Sequence, residues 1–381
     1  MTRRRVGLAG AALALAIVVA VTLAFSGSVT AQRPADGVAP QFQVDPWWPK
    51  PLPNNWIIGQ ASGVAVDRHD HVWVIHRPRS LTEDERGAVL SPPRSLCCVP
   101  APPVLELDAD GKLLRSWGGP GAGYEWPPAV DQAGVHFPWS MHGITVDGKD
   151  NVWLGGNQGN TVLKFTRQGK FLLQIGKAEV TGGDNDHAHL GRPANMNVDP
   201  ATNELFVADG YKNHRVIVFD AQTGAYKRHW GANGRPPGEA GVKPFGNPVH
   251  CVRLAKDGLL YVCDRMNNRI QVFRKDGTFV KEFVVAPATR GGGSVWDLDV
   301  SHDAPQAWLY NADGENNHVW TLLRESGKIV GKFGRNGRQA GSFHWIHNLA
   351  VDSKGNVYTA EVDSGKRVQK FVFKGVGPAE P

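Results

Sequence analysis

Six copies of one short pattern run through the chain, and this repeat constrains the fold more than any other feature. GVAVDRHDHVWVIHR begins at Gly63, HGITVDGKDNVWLGG at His142, NMNVDPATNELFVADG at Asn195, HCVRLAKDGLLYVCDR at His250, WDLDVSHDAPQAWLYNAD at Trp296 and HNLAVDSKGNVYTAE at His347. Each copy is an alternating strand, a turn rich in Asp, Gly and Asn, then a second alternating strand, which is a hairpin pattern. Most copies are followed by a second pair of strands, such as RVIVFDAQTGAYKRHWG or RIQVFRKDGTFVKEF. Four strands per unit and six units predict an all-β, six-bladed β-propeller.

The repeat resembles the NHL class. The sixth copy stops after Phe373 without a fourth strand, while the stretch around Phe42 precedes the first copy and has no blade of its own. The N-terminal segment is therefore expected to complete the last blade, which removes an open sheet edge. The 45 glycines and 26 prolines match a turn-rich chain, and the 41% hydrophobic content suffices for one large domain. The expected organisation is a signal segment over 1–31, a closing segment over 32–61, the propeller over 62–373 and a tail over 374–381.

Residues 1–31 have a basic start, an apolar run from Val6 to Phe25 and a small-residue exit at Val29-Thr30-Ala31. That is the pattern of a secretory signal, so a secreted or periplasmic protein is expected, with an uncleaved membrane anchor as the alternative. Arg3, Arg4 and Arg5 lie in this segment and supply half of the net charge of +6. The remaining basic residues are scattered among acids, which argues against nucleic acid as a partner. Cys251 and Cys263 flank the Asp257 turn symmetrically; a cross-strand disulfide and two buried thiols are both open. Cys97 and Cys98 lie in a Pro-rich insertion, Pro78 to Pro103, that directly follows Arg77 and is placed to cover the mouth of a site there.

Three histidines, His142, His250 and His347, open the second, fourth and sixth copies, and their counterparts in the other copies read as Gly63, Asn195 and Asp297. One histidine at the start of an inner strand is ordinarily a polar liner of the channel. Three on alternate blades converge on the axis and make a His₃ metal site with an open position, for which zinc is the best match. Phenylalanines four or five residues upstream, in FPWSMH, FGNPVH and FHWIH, are expected to form an apolar collar. The loops after each second strand fall on the same rim and carry Arg77, Tyr211 and Arg265. Arginines grip a carboxylate, a metal polarises an oxygen, and a tyrosine beside cations can take a proton, so an anionic substrate, a small molecule or peptide that bears a carboxylate, is expected.

VADGYKNHRVIVF, CDRMNNRIQVF and the three histidine-led strands resemble the peptidyl-α-hydroxyglycine α-amidating lyases, and the similarity runs from Gly59 through the sixth blade. The resemblance implies zinc on His142, His250 and His347, Tyr211 as the base, Arg77 as the essential arginine and Arg265 as a second active-site arginine. It implies cleavage of a peptidyl-α-hydroxyglycine, or a similar carbinolamide, to an amide and glyoxylate. It also points to a structural calcium at the carbonyls of Val64 and Ile144, although the acidic residue that follows the family's third histidine is Asn348 here. The family's disulfide positions are not cysteine in this chain. Two other readings stand beside it: a non-catalytic propeller that binds a protein or glycan, and a calcium-dependent propeller hydrolase or lactonase using Asn195 and Asp297.

Overall fold

A computed structural model describes residues 37–127, 141–156 and 159–379. The expected signal segment therefore lies outside the described residues. Among the described residues, no helix is long and apolar enough to cross a membrane.

The strands form six four-stranded sheets, one per blade. From the axis outward, blade one runs Gln60–Val66, Val72–Arg77, Val104–Leu107, Leu113–Trp117, and blade two Ile144–Val146, Val152–Gly156, Thr161–Phe165, Phe171–Gly176. Blade three is Pro193–Asp199, Glu204–Asp209, Arg215–Asp220, Tyr226–Trp230, and blade four Val249–Leu254, Leu260–Asp264, Arg269–Phe273, Phe279–Val284. Blade five is Asp297–Val300, Trp308–Asp313, His318–Leu323, Ile329–Phe333. Blade six contains Ile346–Val351, Val357–Glu361 and Arg367–Pro378, and its fourth strand is Val38–Asp45 from the N-terminal side. The chain thus closes as an all-β six-bladed propeller.

Its hairpins are built by the repeated aspartate. Asp67 Oδ1 accepts the backbone N–H groups of His69 and His71, at 2.8 and 3.0 Å, while Oδ2 accepts the indole N–H of Trp73 at 3.0 Å. Asp147 does the same for Lys149, Asn151 and Trp153, and Asp352 for Lys354, Asn356 and the Tyr358 hydroxyl. One carboxylate therefore shapes the turn and ties it to the aromatic residue two places beyond, which is buried between neighbouring blades.

Closure extends further than the repeat suggests. The last strand pairs with the first from Asp45 opposite Lys370 to Val38 opposite Pro378, so residues 374–378, expected as tail, belong to the sheet. Phe42 packs against Phe333, Tyr310 and Phe373, with ring centroids 4.6, 5.5 and 6.0 Å away. Cys251 and Cys263 are directly opposed in register and form a disulfide; Cys97 and Cys98 form a second. Phe42→Ala should lower stability by about 2 kcal/mol, read as a lower midpoint in chemical denaturation, because it loosens the only pairing that closes the ring among the described residues.

Candidate functional site

An extra residue in each inner strand sets the geometry of the channel. On blades four and six the ladder slips by one residue between Val249 and Cys251 and between Ile346 and Asn348, leaving His250 and His347 as bulges. On blades one and three the bulged residues are Ser62 and Ala194. His142 and Trp296 take the same place on blades two and five: their N–H groups bond to Gly155 and Ala312, which also face the next residue along. The structural counterparts of the histidines are thus Ser62, Ala194 and Trp296, one residue before the expected Gly63, Asn195 and Asp297. A bulge re-aims its side chain and leaves no mark on the period-two pattern.

The alternation has a direct chemical consequence. His142 Nδ1–H donates to the Ala194 carbonyl and His347 Nδ1–H to that of Ser62, both at 2.8 Å, while His250 donates to the Trp296 carbonyl. Even blades supply imidazoles, and the bulged residue of the next blade supplies the acceptor that orients each one. With Nδ1 carrying the proton, each Nε2 keeps its lone pair and can act as a ligand atom. The ring centroids are 4.5–4.9 Å apart, and one ligand atom from each histidine lies within 4.8 Å of the others. Burial lowers all three pKa values well below the ordinary histidine value, with Arg77 adding to each shift. Neutral, convergent and pre-oriented imidazoles fit a metal ion.

Tyr211 stands at the point of convergence. Its hydroxyl is 2.9 Å from Nε2 of both His142 and His250, and Arg265 Nη1 is 3.3 Å from the same oxygen. The Arg265 guanidinium also lies over the Trp296 ring at 4.4 Å. Arg77 approaches from blade one, held by Nε to the Met141 carbonyl and Nη1 to Gln60 Oε1, each 2.9 Å. Its burial brings its pKa down to about 10, opposed by the Tyr211 phenol, so it stays cationic at neutral pH. The structure thereby brings His142, His250, His347, Tyr211, Arg77 and Arg265 to one place.

A cavity of about 570 Å³ opens above them. Its apolar wall comes from Trp296, Trp345 and Val362. Phe245 and Phe343, expected as a collar, are instead core residues packed against Phe273 and Phe371, and Phe137 lies outside the described residues. Among the described lining residues none comes from the Pro78–Pro103 insertion. That segment runs along blade one, where Val99–Pro100 pairs in parallel with Trp56–Ile57, and Glu85 ties it to Lys366 at 2.6 Å.

Beneath the histidines, Asp297 forms a second layer. It accepts hydrogen bonds from Asn195 Nδ2 at 3.4 Å, the Leu349 N–H at 3.0 Å and Asn348 Nδ2, with Arg253 Nη2 at 3.9 Å. Asn348 Oδ1 accepts the Val64 N–H at 2.6 Å. Both ends of the Asn348 amide are thus engaged, position 348 offers no carboxylate, and Arg253 already supplies a positive charge to Asp297. This donor set does not suit calcium at Val64 and Ile144. The same bonds occupy the carboxylate on which a lactonase would rely.

A model of the NHL repeat matches residues 249–273. Peptidyl-alpha-hydroxyglycine alpha-amidating lyase 1 of Drosophila melanogaster is 28% identical over 352 residues, covering 86% of this chain and 59% of that protein. The chain therefore spans less than two thirds of that relative's length. NHL repeat-containing protein 3 of Mus musculus is 28% identical over 399 residues, covering 98% of this chain and 97% of that protein. A streptogramin B lyase structure superposes with a TM-score of 0.52 at 12% identity, covering 89% of this chain and all but 2% of its own, which shows the fold alone.

Burial raises the Asp297 carboxyl to about 7, with Arg253 and the Leu349 N–H opposing the shift. Between pH 4 and 7 the folded protein holds a proton that the unfolded chain has released, so this group lowers stability as pH rises and has no further effect above 7. Asp297→Asn removes that slope. Its stability relative to the parent should rise by on the order of 3 kcal/mol from pH 4.5 to 7.5 in denaturant titrations, while any lost hydrogen bond shifts both ends alike.

Proposed function

From its kinship with the peptidyl-α-hydroxyglycine α-amidating lyases, we propose that this chain is a zinc-dependent carbon–nitrogen lyase acting on an α-hydroxyglycine or similar carbinolamide. The observation that carries this reading is the position of the Tyr211 hydroxyl, 2.9 Å from two of three convergent neutral imidazoles and beside two arginines. Arg77 and Arg265 are suited to hold the substrate carboxylate, which places the adjacent hydroxyl over the Tyr211 oxygen and the histidine nitrogens. A zinc ion held by His142, His250 and His347 would supply a Lewis acid for the substrate oxygen.

In this reading Tyr211 acts as the base that takes the hydroxyl proton. The carbon–oxygen bond then becomes a carbonyl as the carbon–nitrogen bond breaks, and the departing nitrogen gains a proton. The products are an amide and glyoxylate. Atoms and charge balance without a redox cofactor, and the burial of the histidines limits competing water. Both disulfides accord with an exported protein, the localisation we propose.

A binding propeller without catalysis is the second reading, favoured by the end-to-end match to NHL repeat-containing protein 3, whose name states no activity. The two part on one experiment: metal content and glyoxylate release from N-benzoyl-α-hydroxyglycine. The lyase reading expects near one zinc per chain with release, loss of both in His250→Ala, and metal retained with kcat down about 10²- to 10⁴-fold in Tyr211→Phe. Stoichiometric metal with no release under any substrate concentration would favour the binding module.

A further inference from the structure

The cavity above the histidines is divided by charge. Its cationic residues are Arg77 on blade one, Arg192 at blade three and Arg265 on blade four; its anionic residues are Glu315 on blade five and Asp363 on blade six. Two indoles line the cavity between these charges, Trp296 almost fully buried with the Arg265 guanidinium on its ring and Trp345 36% exposed, their ring centroids 5.5 Å apart.

Glu315 is the informative residue. In ladder register Asp209 and Asp313 close the second strands of blades three and five, so Glu315 follows Asp313-Gly314 as Tyr211 follows Asp209-Gly210. It is the blade-five equivalent of the residue placed at the reaction centre. Its carboxylate rests against two glycines: a Cβ on Gly291 would collide with Oε1, and one on Gly292 would come within 3.1 Å of Oε2 and 2.9 Å of the Trp296 ring. Oε2 is buried and has no hydrogen-bond partner among the described residues. A carboxylate oxygen in that state lacks a donor, and a donor is what a ligand in this cavity can bring.

The indoles indicate which donor. Trp296 is immobilised by its Nε1–H on the Gly293 carbonyl at 2.7 Å and already bears the Arg265 guanidinium on its ring, while Trp345 stands half open beside it. A carboxylate oxygen without a partner in a cavity that a partly exposed indole also lines suits a positively charged group, through ion pairing and cation–π attraction together. Asp363, at the mouth and only 3.4 Å from His344 Nε2, adds negative charge on the same side.

Resting on the lyase reading, we propose that Glu315, Trp345 and Asp363 form a subsite for a cationic group on the acyl part of the substrate, so that the preferred substrate is zwitterionic. Its carboxylate lies on Arg77 and Arg265, its carbinol at Tyr211, and its positive charge, a basic side chain or free amine of the residue before the hydroxyglycine, at Glu315.

The test compares N-(4-aminomethylbenzoyl) with N-(4-methylbenzoyl) compounds at pH 7, which differ in one charge. The glycine forms are unreactive and report binding through quenching of tryptophan fluorescence; the α-hydroxyglycine forms report glyoxylate release. The cationic compound should bind about tenfold tighter and show a correspondingly higher kcat/KM, with both ratios falling towards one in Glu315→Gln. Equal binding of the two compounds by the unaltered protein, or a ratio that survives in Glu315→Gln, overturns the proposal. Preferential binding of the cation without glyoxylate from either substrate would defeat the lyase reading and leave the subsite standing. Release from both substrates at equal efficiency would do the reverse.

Discussion

The hydrogen bond from each histidine to the bulged residue of the following blade is the interaction on which the site depends. Three imidazoles cannot be buried together as cations, and a neutral imidazole is a useful ligand only when its tautomer and ring orientation are fixed. The carbonyls of Ala194, Trp296 and Ser62 do both at once. A backbone carbonyl is a fixed acceptor whatever side chain its residue carries, which frees the bulged positions of the odd blades for other work. Blade five uses that freedom: Trp296 orients His250 through its carbonyl and forms the wall of the cavity with its indole.

Much of this was legible in the sequence because it is periodic. The aspartate of each turn and the aromatic residue after it recur at fixed spacing, so the hairpins, the blade number and closure by the N-terminal strand follow from pattern alone. The histidines, arginines and tyrosine were identifiable because they interrupt that pattern at equivalent points. What the pattern conceals is the bulge. Adding one residue to a strand shifts every later side chain to the other face, and Asn195 and Asp297 were consequently matched to the histidines although they lie one layer deeper.

Two other differences have physical causes of the same kind. Phe245 and Phe343 precede histidines closely, but the chain between turns sharply enough to carry their rings between blades, where apolar area is removed from water more completely than on a rim. Glu315 is not legible from its own position, because a lone glutamate in a surface loop carries no pattern. The signal was present in the parallel between Asp209-Gly210-Tyr211 and Asp313-Gly314-Glu315, and it carries weight only once both are seen to end equivalent strands at the same rim.

The layers of the channel also separate tasks that would conflict in one place. Asp297, Asn195, Asn348 and Arg253 satisfy one another and link the inner strands of blades three, four, five and six, so this layer holds the ring without presenting an open donor. The layer above does the opposite: one Tyr211 hydroxyl serves the Nε2 atoms of both His142 and His250, and Arg265 Nε and Glu315 Oε2 have no partner among the described residues, which lowers stability but leaves these atoms available to a ligand. A saturated layer beneath an unsaturated one explains how the rim can keep charged and polar atoms poised while the propeller stays closed. The rigidity that positions Tyr211 is supplied from below and from the blade edges, and these polar atoms short of partners gather at the open face.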